Sequence, residues 1–130
     1  MPVTFEFNRE TGILTKVGRG KLNLTEMILA WDKAFKDYFY PPKKIRGIIL
    51  DYRDADFNFE VGSQQSVVDF YKKNKEILSH YKIAVITTNP KNSTLPLLVT
   101  AKLNGFQYQL FSTMEAATGW VMDSENILRN

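Results

Sequence analysis

The sequence lacks cysteine altogether and contains a single histidine, His80. The absence of cysteine excludes disulfide bonds, thiol nucleophiles and cysteine-ligated metal ions. One histidine also falls short of the two or more that histidine-based zinc sites use. We therefore expect no metal site and no cofactor.

Long apolar runs are also missing. The longest, at 83–86 and 95–99, are far shorter than the ~20 residues that cross a bilayer, so no integral membrane segment is expected. Residues 1–7 alternate between apolar and polar types and carry no signal-peptide pattern, which predicts a cytoplasmic protein.

Nucleotide and nucleophile motifs are absent as well. The triplet 18–20, Gly-Arg-Gly, lacks the third glycine of a phosphate-binding loop and ends a hairpin strand instead of preceding a helix. No Gly-x-Ser-x-Gly elbow occurs either. Acid–base catalysis would have to rest on carboxylates alone, so we expect no catalytic residues and no enzyme activity.

The charge balance disfavours nucleic acid as a partner. The chain has 17 lysines and arginines against 14 acidic residues, a net charge of +3. The basic residues are scattered among acids, whereas binding to a phosphate backbone demands a basic stripe. The composition is that of an ordinary globular protein, and a length of 130 residues suits one domain, which we assign to residues 1–130.

The chain opens with the pattern of an antiparallel hairpin. Residues 3–7 alternate between apolar and polar types, residues 8–12 supply turn chemistry, and residues 13–17 form a second strand. A helix follows, with Thr25 as its predicted N-cap and an apolar stripe at helical spacing. Pro41 prevents the helix from continuing.

Two short apolar runs, 45–50 and 83–87, have the composition of strands buried on both faces of a parallel sheet. Between them, apolar residues recur every three or four positions over 67–81, which predicts one crossover helix. Asn74 lies on the apolar stripe of this helix. We interpret it as a hydrogen-bonded boundary residue.

The last part of the chain predicts a helix, a strand and another helix. Asn92 or Ser93 is the predicted cap of the first of these helices, with Pro96 in its first turn. Residues 106–110 alternate as a half-exposed strand, and residues 112–115 match a capping box. The order ββαβαβαβα predicts an α/β fold with a mixed, mostly parallel sheet, an N-terminal antiparallel hairpin and crossover helices.

Polar residues follow the first of the two central strands, at the edge where open α/β sheets bind ligands. In the segment 51–56, the carboxylates of Asp51, Asp54 and Asp56 accompany Arg53. These groups could bind a cation. Alternatively, Asp51 and Asp54 accept hydrogen bonds from loop amides while Arg53 pairs with an acid, and turn chemistry favours this second interpretation.

Thr88 and Asn89 follow the next central strand. They could hold a small anion at the start of the third helix or simply cap it, and capping is favoured. A carboxylate-based enzyme using the three aspartates is a further hypothesis. It requires that their pKa values be raised in a cleft.

The order of the elements and the segment 46–55, Arg-Gly-Ile-Ile-Leu-Asp-Tyr-Arg-Asp-Ala, resemble the SpoIIAA-like superfamily. That group includes the STAS domains, known as anti-sigma-factor antagonists, and is related in fold to the CRAL-TRIO lipid-transfer domains. The resemblance spans nearly the whole chain. It implies a SpoIIAA-like fold.

The resemblance also concerns the loop before the second helix. In the antagonists, the third strand ends in an aspartate and the next loop carries a phosphoacceptor serine. Aligning on Asp51 and Gly62 places Val61 at the acceptor position, and valine cannot be phosphorylated. We therefore expect no serine phospho-switch of the usual kind, with Ser63 as a displaced candidate.

The function that the resemblance implies is a non-enzymatic STAS-like interaction or regulatory module with a protein partner. The candidate surface is Asp51, Arg53, Asp54, Asp56, Phe57, Phe59, Glu60, Ser63, Thr88 and Asn89. The alternative is a binder of a small apolar or lipid-like ligand, which the CRAL-TRIO relationship and many aromatic residues suggest. These aromatic residues are Phe57, Phe59, Phe70, Tyr71, Tyr38, Phe39 and Tyr40.

Phe57 and Phe59 distinguish the two hypotheses. If both pack inward, a docking surface remains favoured, whereas a closed pocket of roughly a few hundred Å³ lined by them favours a ligand. The last strand, which carries Gln107 and Gln109, could also pair across a two-fold axis in a homodimer.

Overall fold

Five strands form a single sheet in the order in which they follow one another along the chain. The computed structural model describes residues 2–39, 44–59 and 62–123. Its helices and strands are β1 (Val3–Asn8), β2 (Ile13–Leu22), α1 (Leu24–Tyr38), β3 (Gly47–Phe57), α2 (Ser63–Lys73), α3 (Lys75–Leu78), β4 (Lys82–Ile86), α4 (Pro90–Thr100), β5 (Gln107–Phe111) and α5 (Met114–Met122).

Strands β1 and β2 form the predicted antiparallel hairpin. The side chain of Asn8 accepts hydrogen bonds from the turn amides of Glu10 and Thr11, at 2.9 and 3.2 Å. Gly12 completes the turn with a φ of 75°, a conformation that favours glycine. The pairs β2–β3, β3–β4 and β4–β5 are parallel. The predicted mixed, mostly parallel α/β sheet is therefore confirmed.

Strand β3 is longer than the sequence predicts, and this corrects the placement of the segment 51–56. The sequence predicts a loop there, but the strand continues to Phe57. Strand β2 also continues, to Leu22, and after a register shift between Val17 and Arg19 it pairs with the polar half of β3. The acidic residues therefore lie on a paired strand, because long-range pairing outweighs their preference for turns.

The predicted N-cap of α1 is wrong by two residues. Asn23, and not Thr25, caps the helix, since its side chain accepts from the Glu26 amide at 2.8 Å. The Glu26 side chain in turn accepts from the Asn23 amide at 3.3 Å. In this reciprocal capping box, the backbone amides of Asn23 and Glu26 both donate to side-chain oxygens. A cap at Thr25 would not provide these two acceptors.

The start of α4 is also earlier than predicted. The helix begins at Pro90, and its cap is Asn89 instead of Asn92 or Ser93. Proline suits the first helical position because its missing N–H would have no partner there. Pro96 therefore lies inside the helix and not in its first turn.

The predicted crossover helix over 67–81 is two helices, α2 and α3, separated at Asn74. The side-chain amide of Asn74 donates to the carbonyl of Phe70 at 2.9 Å, while its backbone amide bonds to the carbonyls of Phe70 and Tyr71. Asn74 is the hydrogen-bonded boundary residue that the sequence suggests. It also ends the helix on which it lies.

Two hydrophobic clusters cover the two faces of the sheet. The larger lies under α1, α2 and α4, with Trp31, Tyr71 and Val99 among its buried residues. The smaller lies under α5, whose Ala117 and Val121 contact the sheet. No helix of the described residues is long and apolar enough to span a bilayer.

Lys82 ties the end of α5 to the sheet. It is 5% exposed, and its amine donates to the carbonyls of Trp120 and Asp123 at 2.9 and 2.7 Å. The amine also lies 5.2 Å from the centre of the Trp120 ring. These carbonyls belong to the helix end, where the last acceptors lack partners within the helix.

We expect Lys82→Met to lower the free energy of unfolding by about 1–3 kcal/mol, because two charge-assisted hydrogen bonds disappear. The exposed Lys73→Met is the matched control and should change the free energy by less than about 0.5 kcal/mol. Urea denaturation compares them. Equal midpoints for the two variants would contradict the role of Lys82.

Candidate functional site

The acidic residues of β3 separate into different contacts. Asp51 and Arg53 form a two-point ion pair: Nε donates to Oδ1 at 2.9 Å and a terminal nitrogen donates to Oδ2 at 2.8 Å. The hydrogen bond from the Arg53 side chain lowers the pKa of Asp51. The same carboxylate raises the pKa of Arg53. Pairing of Arg53 with an acid is thus confirmed.

Asp56 makes a different contact. Its carboxylate accepts a hydrogen bond from the amine of Lys91 at 2.9 Å, and both side chains are largely exposed. Since Lys91 lies in the first turn of α4, this pair joins the end of β3 to the helix after β4. The polar end of β3 and the start of α4 are therefore neighbours.

The three carboxylates do not come together in one cluster. Asp51 and Asp56 pair with separate cations, and Asp54 is exposed on β3 opposite Arg19. In the described part of the chain, no group of three or more His, Cys, Asp or Glu side chains could hold a metal ion. The pKa of Asp51 is lowered, which is opposite to what a carboxylate enzyme requires of it.

Asn92 holds the end of β3 through two side-chain hydrogen bonds to its backbone. It is fully buried, and its side-chain amide donates to the carbonyl of Ala55 at 2.7 Å. Its side-chain oxygen accepts from the amide of Phe57 at 3.2 Å. Asn92 therefore replaces a missing strand partner for β3 at this point. The sequence suggests a helix cap because asparagine is common in that role.

The positions after β4 carry the predicted cap. Asn89 is exposed, and its side-chain oxygen accepts from the amide of Lys91 at 2.9 Å, so its capping role is confirmed. Thr88 is also exposed. The buried hydroxyl next to it belongs to Thr87, whose Oγ1 lies 2.6 Å from the hydroxyl of Ser93.

Phe57 and Phe59 pack inward. Phe57 is 5% exposed, and Phe59 is partly buried against the larger core cluster. Their rings are stacked with centres 4.8 Å apart and an angle of 14° between planes. Both rings therefore pack against the core, which is the first of the two arrangements that the sequence leaves open.

Phe59 borders an open groove at the carboxyl end of β2 and β3. We call this the carboxyl-end groove. Its volume is about 390 Å³. It is lined by Asn23, Leu24, Thr25, Asn58, Phe59, Gly62, Ser63 and Ser66. The starts of α1 and α2 form its two sides, so Ser63, the first residue of α2, borders it.

Some predicted positions lie outside the described residues. These include Glu60 of the candidate surface, Val61 at the aligned acceptor position, Tyr40 of the aromatic set and Pro41 after the first helix. Gly62, the described residue after Val61, has a φ of 91° and is the N-cap of α2.

A second groove runs along α1 and the edge strand β1. We call it the edge groove. Its volume is about 510 Å³, and the exposed Leu29 lies on its rim. It is lined by Pro2, Val3, Thr4, Phe5, Glu26, Leu29, Ala30, Lys33, Ala34, Asp37 and Tyr38.

Lys16 is a functional candidate that the sequence alone does not single out. It lies in the middle of β2 and is only 1% exposed. Its amine is 3.4 Å from the carbonyl oxygen of Met27 and lies 5.2 and 5.6 Å from the ring centres of Trp31 and Tyr52. The signal that could have found it is strand alternation, which places Lys16 on the same face as the buried Leu14.

A small cavity adjoins this amine. We call it the lysine cavity. Its volume is about 40 Å³. It is lined by Lys16, Leu24, Met27, Ile28, Trp31, Leu50, Tyr52, Phe57, Val67, Phe70, Tyr71, Leu95, Pro96 and Tyr108. Leu24 also lines the carboxyl-end groove, so the two sites share a wall.

Burial determines the ionisation of the polar groups in the lysine cavity. It lowers the pKa of Lys16 to about 7, since an ammonium loses its hydration there. It raises the pKa values of Tyr52, Tyr71 and Tyr108, because the charged phenolate is disfavoured in the same way. The tyrosines are therefore neutral at pH 7, whereas Lys16 releases its proton far more readily than an exposed lysine does.

Comparison with known proteins identifies the fold. No family model and no curated protein matches the sequence. A crystal structure of an uncharacterised DUF3478-family protein from Shewanella loihica PV-4, described as having a SpoIIAA-like fold, has a TM-score of 0.62 and 13% identity. That alignment covers 92% of this chain and 91% of the other.

A structure of the anti-sigma factor antagonist SpoIIAA in its unphosphorylated form is also similar, with a TM-score of 0.57 and 13% identity. The alignment covers 93% of this chain and 98% of that chain. Both likenesses extend over nearly the whole chain, at a level of identity that establishes the fold alone. The chain therefore has the SpoIIAA-like α/β fold that its sequence predicts.

Proposed function

We propose that this chain is a non-enzymatic regulatory module that binds a protein partner at the carboxyl-end groove. The observation that carries the proposal is the inward stack of Phe57 and Phe59, which leaves the groove open instead of closing a large ligand pocket. The groove is bordered by polar side chains on two different helices. Such an open, polar depression suits a segment of another protein.

The start of α2 indicates the chemistry of the partner. Its N-cap is Gly62, which has no side chain to accept a hydrogen bond from the first helical amides. A helix N-terminus carries a partial positive charge, so it favours an acidic side chain nearby. We expect the partner to place an acidic residue in the groove, beside exposed Ser66.

The fold supports this use of the groove. One of the similar structures is that of an anti-sigma factor antagonist, a protein whose described role is directed at another protein. The resemblance places Val61 at the position of the phosphoacceptor serine, so the proposed module works without the usual serine phospho-switch. Ser63, which borders the groove, remains the displaced candidate for modification.

Native mass spectrometry of the protein purified gently from its host tests the proposal. We expect a specific complex, heavier than one chain, that Ser66→Arg reduces at least tenfold, because the larger side chain fills the groove. The matched control is Gln109→Arg. Gln109 is also exposed and lies on β5, so this substitution should leave the complex intact. Circular dichroism verifies that both variants fold.

Two outcomes would contradict the proposal. One is a protein complex that survives Ser66→Arg unchanged. The other is a dimer of this chain that is lost with Gln109→Arg but kept with Ser66→Arg, which would place the interface on the edge strand β5.

A further inference from the structure

Lys16 is a buried cation without an acidic partner. None of the residues that line the lysine cavity is an aspartate or a glutamate. The amine has one weak contact, 3.4 Å to the carbonyl of Met27, and two aromatic faces beyond 5 Å. A buried lysine is usually paired, since the ammonium loses several hydrogen bonds with water when it is buried.

The tyrosines of the cavity add further donors. Within the described residues, the hydroxyls of Tyr52, Tyr71 and Tyr108 make no hydrogen bond to the protein, yet no fully buried polar side-chain atom lacks a partner. Their hydroxyls therefore retain accessible surface, and the lysine cavity is the space that all three line. One ammonium and three hydroxyls, without an acid, match an anion.

We propose that the lysine cavity binds a short-chain carboxylate, with its head group between Lys16 and the tyrosine hydroxyls. A volume of about 40 Å³ corresponds to about three water molecules, which is room for a carboxylate group but not for a long chain. The hydrocarbon part then extends toward the partly exposed side chains of Leu24, Ile28 and Leu95, which lie on α1 and α4.

The structure also selects among ligand classes. A cation is repelled by Lys16, and a neutral alcohol can accept a hydrogen bond from the ammonium but lacks the charge that strengthens it. A polyanion such as phosphate would have to lose much more hydration in an otherwise apolar cavity. A single carboxylate attached to a few methylene groups satisfies both the buried donors and the apolar mouth.

The pH dependence of binding follows from the groups around Lys16. The ring of Tyr52 on β3 lies 5.6 Å from the amine, and Tyr71 on α2 and Tyr108 on β5 line the same cavity. The pKa values of all three tyrosines are raised, so they stay neutral. From α1 it meets Met27 and Trp31, which do not titrate. Burial gives unliganded Lys16 a pKa of about 7. A bound carboxylate stabilises the ammonium and therefore raises this pKa.

Titration with sodium hexanoate, followed through the methyl NMR signals of Leu24, Ile28 and Leu95, tests the proposal. We expect saturable shifts at pH 6 and an affinity about 100-fold lower at pH 9, because the unliganded amine has lost its proton there. Hexanol, which has the same chain without the charge, should bind at least tenfold more weakly at pH 6.

Two variants make the test specific. Lys16→Met should abolish hexanoate binding, whereas Lys21→Met, an exposed substitution on the same strand, should leave it unchanged. Tyr71→Phe removes one hydroxyl donor and should weaken hexanoate severalfold without affecting hexanol. The proposal is overturned by hexanoate binding that is absent at pH 6, independent of pH, or preserved in Lys16→Met.

Discussion

Replacing Lys16 by methionine is expected to raise the free energy of unfolding at pH 7 by about 2–4 kcal/mol. Burial lowers the pKa of this amine from 10.5 to about 7, and each tenfold loss of proton affinity on folding costs about 1.4 kcal/mol of stability while the unfolded chain is protonated. The contacts with the rings of Trp31 and Tyr52 offset part of this cost. Methionine fills a similar volume without a charge.

The lowered pKa of Lys16 also determines how the free energy of unfolding changes with pH. Between pH 7 and about 10 the unfolded chain keeps a proton on Lys16 that the folded chain has released, so the stability of the natural protein rises with pH. Above about pH 10, the buried tyrosines reverse the trend, because their pKa values are raised in the folded state. Lys16→Met should lose the rise between pH 7 and 10.

Urea denaturation at pH 7 and pH 9.5 measures both effects. Lys82→Met provides an internal comparison, since this second buried lysine has two strong carbonyl acceptors and its loss is expected to destabilise the protein. Opposite signs for the two substitutions are the expected result. A loss of stability in Lys16→Met at pH 7 would show that the amine is satisfied in the core.

Replacing Asn92 by leucine is expected to lower the free energy of unfolding by about 2–4 kcal/mol. The substitution leaves the carbonyl of Ala55 and the amide of Phe57 without their buried partners, and each such group costs about 1–3 kcal/mol. Leucine has the same branching as asparagine, but its terminal methyl groups are larger and can make neither hydrogen bond, so crowding at this fully buried site adds to the loss.

Thr94→Leu is the control for Asn92→Leu, because Thr94 is exposed on the same helix. Its effect should stay within about 0.5 kcal/mol. Hydrogen exchange adds a local readout: the amide of Phe57 should lose protection in Asn92→Leu before the centre of β3 does. Unchanged protection at Phe57 would mean that the end of β3 does not depend on Asn92.

The parts of the fold that can be predicted are those that a pattern within one segment of the sequence specifies. The hairpin of β1 and β2 follows from alternation and turn residues. For the start of α4 the sequence offers Asn92 or Ser93 as well as Asn89, and only Asn89 is the cap. The central strands are visible because they are buried on both faces. None of these depends on which distant segment becomes a neighbour.

The remaining features depend on distant partners. The polar half of β3 has the sequence of a loop, and it is a strand because the second half of β2 pairs with it. The register shift in that pairing is not visible in the sequence. Asn92 resembles a helix cap, but the strand end above it gives it a different role. Strand alternation places Lys16 on the inner face of β2, but its surroundings depend on how α1, α2 and α4 pack over that face.

In the candidate site, too, some features have local sequence signals and others depend on distant partners. Its residues near the strand ends are predictable, and the contacts between Asp56 and Lys91 and between Phe57 and Phe59 bring the predicted segments together. The boundaries of the carboxyl-end groove are not predictable, because they depend on where α1 and α2 begin. A difference of two residues in a helix start changes which side chains border the groove.

Photo-crosslinking measures directly where a partner docks. A photoreactive amino acid at position 66 lies beside the carboxyl-end groove, and the same group at position 109 lies on the edge strand β5. Irradiation in the host should attach one specific protein from position 66 and not from position 109. Crosslinks from position 109 alone, or none from position 66 while a group at position 29 in the edge groove captures the partner, would contradict docking at the carboxyl-end groove.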